Sequence, residues 1–175
     1  MEQYIYKSND AFIISKEEQK IIVRWVRKNR HKFTLTEYHS SFGQLKNFDD
    51  IPKCVYDIKK RIIKKEKLHN AITEPYYTDA IGYIWQSGQL YKHIDPNKSG
   101  LIHTRYNVFV QMPTEGGFPI YNNKVLHVKE RTYTCCRSGL DYHSCEKVVS
   151  SKERIILSYG FLLPIERVQN IIYDY

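Results

Sequence analysis

Apolar positions recur with two different periods along this chain, and the change falls near residue 75. Ser15-Lys16-Glu17-Glu18 has the form of a capping box, and Ile21, Ile22, Trp25 and Val26 follow on one stripe, which predicts a helix to about Asn29. Asp49-Asp50-Ile51-Pro52 opens a second helix, with acid and proline at its start. Ile51, Val55, Ile58, Ile62 and Ile63 then recur at helical spacing, while Lys59, Lys60, Arg61, Lys64 and Lys65 point mostly outward. Ala11-Phe12-Ile13-Ile14 is expected to be a short strand, and residues 30–48 read as polar and irregular. Beyond residue 75 the segments are short and β-rich: Ala80 to Gln86, Arg105 to Met112, Phe118 to Tyr121, Lys124 to Val128, Arg131 to Cys135 and Arg154 to Leu162. Gly116-Gly117 and Asn122-Asn123 punctuate them, the second at hairpin spacing. This order predicts a mainly β fold, an antiparallel sandwich or barrel with the N-terminal helices packed outside it.

At 175 residues and 42% hydrophobic content, the chain suits one domain, with residues 1–75 as helical support and 76–175 as β core. Its longest apolar runs, such as Phe161-Leu162-Leu163, are too short to cross a bilayer, so no membrane partner is expected. Met1-Glu2-Gln3-Tyr4 begins no secretory signal, and the expected location is cytoplasmic or otherwise intracellular. The net charge of +8 is uneven: residues 1–70 hold 16 basic and 9 acidic side chains, the remainder 11 and 10. Solvated helix faces explain this excess better than a phosphate-binding surface does. Cys54, Cys135, Cys136 and Cys145 form no disulfide framework. Adjacent Cys135 and Cys136 would point to opposite faces of a strand, and their spacing to His143 and Cys145 matches no common zinc pattern.

The residues with chemical potential are His93-Ile94-Asp95, His143 and Arg154. Residues i and i+2 on an extended segment share a side, so His93 and Asp95 can offer a nitrogen and an oxygen to one ion. A second histidine from a distant strand would complete a two-histidine, one-carboxylate set. That set suits Fe(II), leaving room for a bidentate cosubstrate and dioxygen. On the last long strand, alternation puts Arg154, Ile156 and Ser158 on one face. An arginine on an apolar core strand needs an anion, and a dicarboxylate whose far end meets the guanidinium would supply one.

Taken in order, Tyr83, Gly88-Gln89, His93-x-Asp95, the strand Arg105 to Met112, Gly116-Gly117-Phe118-Pro119-Ile120-Tyr121, His143 and Arg154 resemble the Fe(II)/2-oxoglutarate-dependent dioxygenases, most closely the prolyl-hydroxylase-like branch. The pattern covers roughly residues 80–163. The resemblance implies a double-stranded β-helix, of jelly-roll or cupin type, with His93, Asp95 and His143 as catalytic iron ligands. It also implies that Arg154 binds the distal carboxylate of 2-oxoglutarate, with Tyr83 as a second contact. Asn107, which alternates inward with Arg105 and Gln111, is a further pocket candidate. The implied reaction couples decarboxylation of 2-oxoglutarate to succinate and CO2 with hydroxylation of a substrate C–H bond. One departure is that many relatives carry serine two residues after the arginine, where this chain has Ile156; its serine is Ser158.

His103 and His127 are alternative second imidazoles; His143 ranks first for its spacing to Arg154. A protein or peptide side chain, with proline foremost, is the expected substrate. A free amino acid or other small molecule comes next, and nucleic-acid demethylation ranks below both. A basic binding module on the same fold is the non-enzymatic alternative.

Overall fold

The computed structural model describes residues 4–7, 12–36 and 39–174. In chain order the elements are β1 (Tyr4–Lys7), α1 (Lys16–Asn29), β2 (Thr34–Thr36), β3 (Ser40–Gln44), α2 (Lys53–Lys65), β4 (Ile72–Thr73) and β5 (Asp79–Ile84). They continue with β6 (Ile102–Gln111), β7 (Pro119–Tyr121), β8 (Lys124–Val125), β9 (Tyr133–Cys136), β10 (His143–Cys145), β11 (Arg154–Leu163), α3 (Ile165–Val168) and β12 (Ile171–Asp174). A large sheet runs β2-β3-β5-β11-β6-β9, with β4 added to β11, and a small sheet runs β10-β7-β8. β1 and β12 pair in parallel. The long strands are antiparallel, and the result is a double-stranded β-helix.

Alternation along β11 divides the molecule. Ile155, Leu157, Tyr159 and Phe161 enter one continuous apolar core with Ile22, Trp25 and Val26 of α1 and Val55, Ile58 and Ile62 of α2. The Tyr159 hydroxyl donates to the Val55 carbonyl at 2.7 Å, fixing α2 against this face. Gln19 of α1 donates to the Val110 carbonyl of β6 at 2.7 Å. The helices therefore cover one side of the large sheet. Arg154, Ile156 and Ser158 face the other side, toward the small sheet.

The capping box forms as expected, with reciprocal hydrogen bonds between Ser15 and Glu18. Asn122 and Asn123 both have positive φ, 49° and 66°, and make the two-residue turn between β7 and β8. Three expectations fail. Phe12, Ile13 and Ile14 form no strand, and Ala11 lies outside the described residues; Ile13 instead donates its N–H to the Arg131 carbonyl at 2.9 Å. Ile21 is 39% exposed, because the stripe of α1 centres on Ile22, Trp25, Val26 and Asn29. Residues 30–48 contain β2 and β3, which extend the large sheet, so the N-terminal part is not only helical. Polar residues such as Ser40, Ser41 and Gln44 hid β3, where backbone pairing to β5 overrides side-chain preference.

Candidate active site

The two histidines are joined through their backbones. His93 and His143 form an antiparallel bridge, N–H to carbonyl in both directions at 3.1 and 3.0 Å. This sets their rings side by side, with centroids 4.1 Å apart. Each ring is then oriented by the carbonyl two residues earlier: His93 Nδ1 lies 2.7 Å from the Tyr91 oxygen and His143 Nδ1 lies 3.2 Å from the Asp141 oxygen. A carbonyl can only accept, so Nδ1 carries a proton on both rings, and in the neutral tautomer Nε2 is the atom left to bind an ion. Both Nε2 atoms face Asp95 Oδ1, at 3.5 and 4.0 Å. Asp95 is itself held by its N–H, which donates to the Ser138 carbonyl at 2.8 Å.

These three ligand atoms lie within 4.8 Å of one another, and no other metal-competent group occurs among the described residues. Burial and the neighbouring His93 push His143 down to about 4, so it is a neutral donor at ordinary pH. Two imidazoles, one carboxylate and no thiolate suit a divalent ion such as Fe(II). The four cysteines are free thiols outside this group. Cys145 Sγ accepts the Leu90 N–H, and burial pushes the Cys136 thiol up, so it stays protonated. His103 and His127 lie outside the three-residue group.

The group opens onto a cavity of about 310 Å³ that also receives Arg154, Asn107, Ser158, Arg105 and Tyr121. Arg154 is 4% exposed. Its Nε donates to the Gly117 carbonyl at 2.7 Å, and no carboxylate pairs with it among the described residues. The Gly-Gly turn makes that carbonyl available. Gly116 and Gly117 both have φ above 70°, and a Cβ on Gly117 would stand 2.6 Å from Pro113 Cγ. Asn107 belongs to a polar chain: Arg105 Nε donates to Ser158 Oγ at 2.7 Å, and Ser158 Oγ donates to Asn107 Oδ1 at 2.6 Å. Asn107 Nδ2 in turn reaches the buried Tyr121 hydroxyl at 3.5 Å.

Tyr83 is not brought to this cavity. In the β5–β11 ladder Ile84, Gly82 and Ala80 lie opposite Arg154, Ile156 and Ser158, whereas Tyr83 lies opposite Ile155 and faces the other side. It lines a separate, larger cavity of about 610 Å³ with Arg30, Phe33 and Trp85, where its hydroxyl donates to Glu153 at 3.3 Å. That cavity contains none of the clustered ligand residues, so size does not locate the chemistry. Gln111 also faces away, donating to Glu153, because a bulge at Ile155/Ile156 shifts the register and reverses the alternation. Which face Tyr83 takes is set by the β5–β11 register, and neither that register nor the bulge had a sequence signal. Glu74, which pairs with Arg105 at 3.0 Å, was missed, since it follows a two-residue strand, β4, that lacks any distinguishing pattern.

No family model and no curated protein matches this sequence. Solved structures do. The viral collagen prolyl hydroxylase of Paramecium bursaria Chlorella virus-1, in complex with 2-oxoglutarate, superposes with a TM-score of 0.61 at 16% identity, over 88% of this chain and 93% of that one. The chain has the fold of that enzyme. A Pseudomonas putida prolyl-4-hydroxylase gives 0.58 at 11% identity, over 89% of this chain and 90% of the other. HygX of Streptomyces hygroscopicus, with nickel and 2-oxoglutarate bound, gives 0.58 at 8% identity, over 89% and 82%.

Proposed function

We propose that the protein is an Fe(II)- and 2-oxoglutarate-dependent dioxygenase that hydroxylates a side chain of a protein or peptide. One observation carries this reading: a ready-made two-histidine, one-carboxylate cluster shares a small cavity with a buried arginine that has no acidic partner among the described residues. Prolyl hydroxylases among the structural neighbours favour a peptide substrate, with proline the first candidate.

In this reading His93, Asp95 and His143 hold the iron and Arg154 holds the distal carboxylate of 2-oxoglutarate. When bound, iron supplies dioxygen activation coupled to decarboxylation of 2-oxoglutarate to succinate and CO2. The protein's contribution is orientation and shielding. The Tyr91 and Asp141 carbonyls hold the two rings by Nδ1 and leave both Nε2 atoms aimed at Asp95. The Arg154 guanidinium gives a dicarboxylate a fixed end point, and its fork favours a two-pronged carboxylate over a single-oxygen anion. Asn107, Ser158 and Tyr121 line the wall and limit the room for water.

Anaerobic addition of Fe(II) and 2-oxoglutarate is expected to give a weak visible charge-transfer band, and air is expected to release succinate. Folded protein that gives neither would defeat the reading. His143→Ala is expected to abolish succinate release, measured by mass spectrometry. A library of peptides and metabolites scored for a 16 Da gain, with and without 2-oxoglutarate, then identifies the substrate class. A small-molecule or nucleic-acid hit would replace the peptide assignment.

A further inference from the structure

His103 is the most deeply buried histidine near the cluster, fully excluded from solvent at the start of β6. It lies on the far side of Asp95 from His93 and His143. Its Nδ1 stands 3.6 Å from Asp95 Oδ2, while Asp95 Oδ1 faces the other two imidazoles. The two oxygens of one carboxylate are thus divided between two neighbourhoods.

The opposite edge of the His103 ring settles its tautomer. Arg105 Nη1 lies 3.2 Å from His103 Nε2 and 3.0 Å from Glu74 Oε1. A guanidinium only donates, so Nε2 must accept, and the ring's single proton is on Nδ1. That N–H is buried and makes no hydrogen bond of normal geometry. The nearby acceptors are Asp95 Oδ2 and the Pro96 carbonyl. Leaving a buried donor unpaired is unfavourable, and a modest shift of the carboxylate toward it would pair it.

The backbone holds the two residues in this relation. Ser138 accepts the Asp95 N–H through its carbonyl and donates from its hydroxyl to the His103 carbonyl at 3.1 Å. Asn97 accepts the His103 N–H at 2.9 Å and donates to the Gly139 carbonyl at 2.9 Å. Glu74 anchors the outer end, accepting the N–H groups of Tyr76 and Tyr77 as well as Arg105.

We propose that His103 is a positioning residue for the metal centre: its Nδ1–H, with the tautomer fixed by Arg105 and Glu74, captures Asp95 Oδ2 and leaves Oδ1 as the single oxygen offered to the ion. This rests on reading His93, Asp95 and His143 as the metal ligands. A carboxylate so held binds through one oxygen and keeps adjacent coordination positions open.

Manganese(II) alone is the probe, with the free ion followed by electron paramagnetic resonance, so turnover is not required. His103→Leu is expected to weaken manganese binding about 10- to 100-fold. His103→Asn, whose amide can donate near the position of Nδ1–H, is expected to recover most of that affinity. Wild-type affinity in folded His103→Leu, or equal loss in both variants, overturns the proposal. Nitrogen-15 correlation spectra of the wild-type imidazoles give a variant-independent readout: His103 is expected as the Nδ1–H tautomer, and the Nε2–H tautomer overturns the proposal. Wild-type protein that binds no manganese would defeat the metal-centre reading instead, and the tautomer measurement would still judge His103.

Discussion

Two arginines reach the same cavity from neighbouring strands, and their surroundings are opposite. Arg105 on β6 is saturated: it donates to Glu74 Oε1, Ser158 Oγ, the Thr78 carbonyl and His103 Nε2. Among the described residues, Arg154 on β11 has a single carbonyl and no carboxylate. Both are nine-tenths or more buried, at 8% and 4% exposure. An arginine neutralised from within the chain is part of the scaffold. One left without a counter-charge fits the proposed place for an anion from outside, since a buried cation is tolerated only when something compensates it.

Stability separates the two most strongly. Arg105→Met leaves Glu74 buried without its cation and is expected to cost about 3–5 kcal/mol in chemical denaturation. Arg154→Met strands no partner and is expected to change stability by less than about 1 kcal/mol. Equal losses would erase the distinction. The Arg105 end is also packed to its limit. A Cβ on Gly160 would lie 2.3 Å from Glu74 Cγ and 3.0 Å from Arg105 Nη1. Gly160→Ala is therefore expected to cost about 1–3 kcal/mol, read from the same denaturation midpoint.

Ligand dependence gives the converse. Arg154→Met is expected to raise the 2-oxoglutarate requirement about 10- to 100-fold in succinate-release assays, the loss of roughly one charge-assisted hydrogen bond. The smallest effect belongs to an ion pair nearer water. Glu18 meets Arg61 across α1 and α2. Burial opposes its charge, but the bonds from Arg61 and Ser15 outweigh that and hold the carboxyl below its ordinary value of 4.5. A folded value below the unfolded one adds stability above that pH, and the gain disappears as pH falls through the folded value. Glu18→Gln is thus expected to cost at most about 1 kcal/mol at pH 7 and nothing in strong acid, read from melting curves across pH.

Much of this was legible in the sequence because it is local or periodic. The isoleucine stripe of α2, the capping box of α1 and the Asn-Asn turn need only a few neighbouring residues to declare themselves. Order along the chain was enough to nominate His93, Asp95, His143 and Arg154, and the structure brings all four to one cavity. What escaped depends on register. Tyr83 sits at the distance from His93 that the resemblance expects, yet the β5–β11 pairing turns it to the opposite face. Gln111 was lost to one bulge. The partnership of Glu74 with Arg105 joins residues 31 apart through strands whose alignment no local pattern states.

The backbone bridge between His93 and His143 has a consequence for the proposed metal centre. The cage walls are tied by main-chain bonds that any folded copy already makes, so the polypeptide does not wait for a metal to draw it together. A chelator should strip the centre and leave a standing, refillable vessel, in contrast to small zinc modules that collapse when emptied.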